Sequence, residues 1–272
     1  MSNTDLDRLS VAEFIERFRT EMVPLSNTFS YFFAGMPLTE EDVKDYLEEP
    51  IAALPPETLR GLPKTAIFLV PFLERLNGGG AKPVGAKPKR HATPSQPGSD
   101  SRISMTAPAE NRQIQQLALD STAGPVLVFA IQDVDLADYH YRFYNQVAAL
   151  AERQLTDEQR AAYLGLLREE LSAGVHGEVD EASWHHKQAL RRRGTNFRRD
   201  SKGFREYASH SFIDTLTLYL HGICCDIDVD TGPRQLQSRH LRKRLEWMES
   251  VYPPPSGYAV FPEELAQQEA RS

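Results

Sequence analysis

Residues 77–112 limit what this chain can pack. The stretch NGGGAKPVGAKPKRHATPSQPGSDSRISMTAPAEN consists largely of Gly, Pro, Ser and Lys and holds almost no bulky apolar side chains. It cannot bury enough surface to offset the entropy lost on ordering it, so it reads as a flexible linker. The core of the 272-residue chain must then come from the segments on either side, 1–76 and 113–250, with 251–272 as a tail. A hydrophobic content of 40% and a charged content of 25% supply the material for one.

Apolar periodicity predicts helices on both sides of the linker. Ser10 and Glu13 have capping-box spacing, and Val11, Phe14, Ile15, Phe18 and Met22 follow at helical intervals. Thr39 opens an acidic start, TEEDVKDYLEEP, interrupted at Pro50, and PPETLRGLPKTAIFLVPFLERLN reads as two short helices broken by prolines. Beyond the linker, 124–131 (GPVLVFAI) suits a buried strand or, equally, a loop entering a core. Helices are then expected after Asp135, after the capping box Thr156 to Gln159, and over 180–192, 204–225 and 234–250. The resulting expectation is a mainly α chain: a C-terminal helical bundle and a small N-terminal helical subdomain, with one short strand at most.

The longest apolar run, 66–73, contains Pro71 and is too short to span a bilayer. The polar, acidic start MSNTDLDRLS lacks a secretory pattern, so a cytoplasmic protein with no membrane partner is expected. The two cysteines are the neighbours Cys224 and Cys225, a poor geometry for a disulfide, which agrees with a reducing compartment and with apolar packing near a helix end.

Charge gives the first pointer to function. From Lys187 to Arg244 there are 13 Lys and Arg against six acids, in a chain whose formal charge is −7. Lys187, Arg191, Arg192, Arg193, Arg198, Arg199, Lys202, Arg242, Lys243 and Arg244 are the candidate contacts for an anionic partner: RNA, DNA or an acidic protein surface. Pairing with the chain's own acidic N-terminal half is the competing explanation. A non-catalytic binding or regulatory protein follows from this reading.

Two patterns in the helix after the basic loop point to chemistry instead. Arg205-Glu-Tyr-Ala-Ser-His210 resembles the R-x4-6-H signature of the HEPN superfamily, helical bundles that include many ribonucleases. The resemblance implies His210 as general acid or base and Arg205 as the holder of the scissile phosphate; the carboxylate of Glu206 beside it would repel that phosphate. The second pattern is His210, Asp214, Thr217 and His221, spaced i, i+4, i+7, i+11 along one helical face. With His176, Glu178, His185 or His186 it could ligate zinc or iron in a metal-dependent helical enzyme, although HExxH, paired ExxH and CxxC spacings are absent. Asp226, Asp228 and Asp230 lack the Gly and distal Glu of a calcium loop, and no nucleotide or hydrolase motif accompanies them.

Overall fold

A computed structural model describes residues 9–35, 38–76, 100–192, 197, 199–224 and 234–261. The chain forms two units, one from Met1–Lys44 and Pro63–Tyr139, the other from Asp45–Leu62 and His140–Ser272. The first is an α/β unit, which overturns the expectation of a mainly α, all-helical protein.

Five strands make its main sheet: β1 (Val23–Pro24), β2 (Phe29–Phe33), β3 (Thr65–Val70), β8 (Gly124–Ala130) and β7 (Gln116–Ser121), in that spatial order. β2, β3 and β8 run parallel, in a register that sets Phe32 beside Phe68 and Ala66 beside Val126; β1 and β7 are antiparallel edges. The central strands TAIFLV and GPVLVFA are almost continuously apolar because both faces are covered. A run of this kind has neither the alternation of a half-exposed strand nor the 3.6 period of an amphipathic helix, so pattern alone cannot separate the two. That is why the run after Pro63 reads as helix in the sequence and pairs as strand in the fold. Edge strand β7 shows the alternation that the central strands lack.

Helix α1 (Val11–Phe18) starts at Ser10 with the expected reciprocal cap: Ser10 N donates to Glu13 Oε2 at 2.9 Å and Glu13 N to Ser10 Oγ at 3.3 Å. Its Val11, Phe14, Ile15 and Phe18 form one core with Phe68, Val70, Val126, Val128 and Ala130 of the sheet. After Pro71 the chain enters a second, antiparallel sheet ordered β5 (Ser101–Ser104), β4 (Phe72–Arg75), β6 (Gln113–Ile114). Glu74 is buried there between Arg102 (Nε to Oε2, 2.6 Å) and Arg112 (Nη2 to Oε1, 2.9 Å). Residues 101–104, expected to belong to the linker, therefore pair as a strand of this sheet, and Arg112 reaches its Glu74, while 77–99 lie outside the described residues.

The second unit is helical. Helix α2 (Glu40–Val43) still belongs to the first unit; after a π-helical turn at Lys44–Glu48 the second unit opens with short helices α3 (Glu49–Ala52) and α4 (Pro56–Gly61), and Pro50 sits in the first turn of α3. The long helices are α5 (Leu136–Arg153), α6 (Asp157–Ser172), α7 (Glu181–Arg192), α8 (Lys202–Cys224) and α9 (Ser238–Val251). α8 packs along α7, and α9 packs on α8 and α6. Among the described residues no helix is long and apolar enough to cross a membrane.

Candidate functional site

Two of the cations expected to face a partner are sealed in the core of the helical unit. Arg244 and Lys187 are both 0% exposed. Arg244 lies on the same side of α9 as buried Met248, and Glu170 falls on the side of α6 that carries Tyr163, Leu166 and Leu167. The guanidinium forks both carboxylates: Nε and Nη2 reach Glu170 at 3.0 and 2.5 Å, and Nη1 and Nη2 reach Glu178 at 2.8 and 3.0 Å. Lys187 Nζ donates to Glu178 Oε1 at 2.9 Å and to the Gly177 carbonyl at 2.7 Å, and the Tyr207 hydroxyl donates to Glu178 as well. Burial alone would raise the Glu178 carboxyl, but the charges of Arg244 and Lys187 and the hydrogen bonds from Arg244 and Tyr207 hold it down at about 2. Burial also pushes the Tyr163 phenol, bonded to Ser211 and Thr215, up to about 12. Two cations and two carboxylates balance, so the cluster braces four elements and offers no charge to solvent. The expectation that Lys187 and Arg244 bind an external anion is corrected accordingly.

Helix α8 does not bring Arg205 and His210 together. Five residues apart, they point about 140° away from each other around the helix. Arg205 is exposed, donating to the Asp200 carbonyl at 2.8 Å and lining a small cleft with Tyr163, Ala208 and Phe212. His210 instead stacks on His186 with ring centroids 4.1 Å apart, and burial and the His186 charge lower its pKa.

The polar stripe on α8 does share a face, turned toward α7 and α5. Asp214 Oδ2 accepts from Ser183 N at 2.9 Å, and Asn145 Nδ2 donates to Thr217 Oγ1 at 3.4 Å. His221 sits between the rings of Tyr141 and Tyr144; its Nε2 is buried with no hydrogen-bond partner among the described residues, and burial lowers its pKa. The stripe spans about 16 Å from His210 to His221 at 1.5 Å per residue, far too long for one ion with bonds near 2 Å. Of the auxiliary ligands only His186 reaches the stripe, stacked on His210; the others are engaged elsewhere, His176 with Arg191, His185 with Glu181 at 3.1 Å, and Glu178 in the buried cluster. Among the described residues no group of three His, Cys, Asp or Glu side chains is arranged to hold a metal. Cys224, the last residue of α8, is half-buried with its thiol hydrogen-bonded to His140. Cys225 and the three aspartates after it lie outside the described residues.

Asp214 has a thermodynamic consequence. It is 3% exposed, and burial, with the nearby charges of Asp180 and Glu178, raises its carboxyl to about 6 against the hydrogen bond from Ser183. The folded state then binds this proton more tightly than the unfolded chain, and stability falls as pH rises from about 4 to 6. Asp214→Asn keeps an oxygen for Ser183 N and removes the charge. It should stabilise the protein by about 1–3 kcal/mol at pH 7 and be neutral at pH 4. Urea unfolding at both pH values tests this; a variant no more stable than wild type at pH 7 would show that the charge is compensated.

The surface cations fall into two sets. Lys202, Arg242 and Lys243 stand beside Glu206, Glu246 and Glu169 at 3.8, 3.1 and 2.7 Å, and Arg205 beside Asp200 at 3.5 Å. These acids belong to the helical unit itself rather than to the N-terminal segment. Arg191, Arg192, Arg199 and Arg239 are exposed and have no carboxylate partner among the described residues; Arg193 and Arg198 lie outside them. Arg191 bonds His176, and Arg239 Nε meets His240 Nε2 at 3.1 Å. What joins these groups is Gly177. There the backbone lies directly against residues 235–236, with Glu178 N to Arg234 O at 2.9 Å and Leu236 N to Glu178 O at 3.0 Å. Burial lowers the pKa of His240, with the charge of Glu170 working against it and that of neighbouring Arg239 with it. The C-terminal end of α7, His176 and the first turn of α9 thus form one cationic surface. Sequence reasoning placed its arginines in separate clusters and missed Gly177 and Glu170. The only signal for Glu170 is its position seven residues after Tyr163.

No protein-family model, curated protein or solved structure matches this chain.

Proposed function

We propose that this is a non-catalytic cytoplasmic protein that binds the phosphate backbone of a nucleic acid on the surface shared by α7 and α9. The observation that carries the reading is the set Arg191, Arg192 and Arg239, exposed and without a carboxylate partner among the described residues, with exposed His176 and half-buried His240 beside them. The start of α9 supports it. Its N-cap, Gln237, makes no side-chain cap hydrogen bond and its first turn holds no acid, so Arg239 sits where a cation opposes the helix dipole. A phosphate there would satisfy the free backbone N–H groups and neutralise the guanidinium. Guanidinium forks suit phosphate better than ammonium groups do. Recognition through these guanidinium groups would be independent of sequence, because phosphate contacts carry no base information; the ring of Trp184 on α7 is already covered by the Arg234 guanidinium, 4.8 Å from its centroid. The positions of Arg205, His210 and His221 lend nothing to a ribonuclease or a metal enzyme.

Fluorescence anisotropy with a labelled single-stranded RNA over 50 to 200 mM salt tests the proposal. Engaging the three arginines should give a slope of log K on log salt of about −2. The double variant Arg191→Glu, Arg239→Glu should weaken binding at least tenfold at unchanged helicity. A flat salt dependence, or undiminished affinity in the double variant, would overturn it. Equal affinity for polyglutamate would reassign the surface to an acidic protein.

A further inference from the structure

The α/β unit holds a cleft that the reading above does not use. Helix α1 has eight residues, about 12 Å of helix, whereas the six residues of β3 extend about 20 Å. α1 therefore covers only part of the sheet face. Beyond it, where β3 and β8 begin, the face opens into a cleft of ≈ 220 Å³. Ile15, Met22, Ala66, Phe68 and Val126 line it with apolar surface.

Its polar groups are few. The hydroxyls of Thr65 and Ser121 are engaged by the carbonyls of Pro63 at 2.8 Å and Gly124 at 2.6 Å. That leaves Ser30 and two cations, half-buried Arg19 and exposed Lys64, at the lining. Neither Arg19 nor Lys64 has an ion-pair partner among the described residues, and no lining residue is a carboxylate. Lys64 is held in place from beneath: Gly124 has φ +121°, and a Cβ there would overlap the Lys64 carbonyl. Only glycine allows β8 to start so close to the segment that carries this cation.

We propose that this cleft binds a small monocarboxylate with a compact apolar body, its carboxylate held between Arg19 and Lys64 and its hydrocarbon against Phe68 and Val126. Charge complementarity selects an anion. The apolar lining selects a ligand charged at one end only, and the volume, below the roughly 300 Å³ of a typical ligand pocket, keeps it small. A planar guanidinium beside an ammonium matches the two oxygens of a carboxylate.

Titration of the full chain with hexanoate, hexyl phosphate and hexanol, followed by calorimetry and by amide NMR shifts, tests the assignment. Saturable hexanoate binding with shifts at Ser30, Ala66 and Gly124 is expected. Hexanol should bind at least tenfold more weakly, and Arg19→Met with Lys64→Met should remove that preference. Ala66→Phe, which fills the cleft, should abolish binding while far-UV circular dichroism is retained. Equal binding of hexanol, tighter binding of hexyl phosphate, shifts elsewhere in the chain, or unchanged affinity in the double methionine variant would each overturn the proposal. RNA binding is expected to persist in these variants, so this assignment stands or falls separately from the α7 and α9 surface.

Discussion

Arg244→Met is expected to destabilise the helical unit by about 3–5 kcal/mol, the usual cost of removing one partner from a buried ion pair. The methionine fills much of the volume, so the loss is electrostatic rather than a cavity. Without the guanidinium, Glu170 loses both hydrogen bonds that Arg244 makes to it, at 3.0 and 2.5 Å, and Glu178 keeps only Lys187 and Tyr207. The pH dependence carries the same signature. Glu178 is held at about 2 in the fold, against an ordinary 4.5. It therefore contributes stability that is fully present above pH 4.5 and is lost as pH falls toward 2. In the variant the Glu178 carboxyl loses the Arg244 charge and hydrogen bonds, the largest of the influences that hold it down, so the gap between wild type and variant should narrow in acid. Both tryptophans, Trp184 and Trp247, lie in α7 and α9, so their fluorescence during urea unfolding reports this unit selectively. A loss below about 1 kcal/mol at pH 7 would mean that water reaches the cluster. Adding Glu170→Gln to Arg244→Met should recover part of the loss, since it leaves Lys187 and Glu178 as a neutral buried pair rather than a pair with an extra unpaired carboxylate.

Gly177→Ala should be comparably damaging, by about 3 kcal/mol, the upper end of overpacking costs. A Cβ at this position would fall inside the Gln235 carbonyl group and 2.7 Å from the Leu236 nitrogen. Those are backbone atoms in a bridge closed by two hydrogen bonds, not the end of a side chain that can swing away. To admit the methyl, residues 176–178 must part from 234–236. The parting would pull Glu178 from Arg244 and the Gly177 carbonyl from Lys187. The same movement would separate His176 and Arg191 from Arg239, so RNA affinity should fall along with the melting temperature. Thermal unfolding and anisotropy on one preparation test both. An alanine variant with wild-type stability would show that the close approach is not required, and loss of stability with full RNA binding would sever the bridge from the cationic surface.

The parts of this fold that sequence patterns expose are those whose determinants lie within one or two turns of each other. The Ser10 and Glu13 cap closes over three residues, as does that of Thr156 and Gln159, and the helices they start bury the residues that the 3.6-residue period marks. Of the strands, 124–131 reads as a candidate in the sequence and supplies β8, whereas the others are not legible, for the opposite reason. TAIFLV pairs with a partner some 60 positions away, Ala66 opposite Val126, and a segment buried on both faces carries no period that identifies it as strand. The basic stretch shows the same division. Its composition is plain in the sequence, but charge counts do not distinguish Arg244 from Arg242, two residues earlier. One points into the core onto Glu170 and Glu178; the other faces solvent beside Glu246.

By itself, then, the sequence determined the helix starts, the amphipathic faces and the excess of positive charge between Lys187 and Arg244, because each depends on neighbours along the chain. The tertiary structure alone decided that the N-terminal segment joins a parallel sheet, and that Lys187 and Arg244 neutralise buried acids. It also decided that residues 177–178 bridge to 234–236, and that Arg19 and Lys64 line one cleft. These outcomes depend on which carboxylates, carbonyls and apolar faces distant segments bring alongside. Burial makes that choice decisive: a charge in solvent tolerates almost any neighbour, whereas a charge in the core requires its counter-charge within hydrogen-bonding distance.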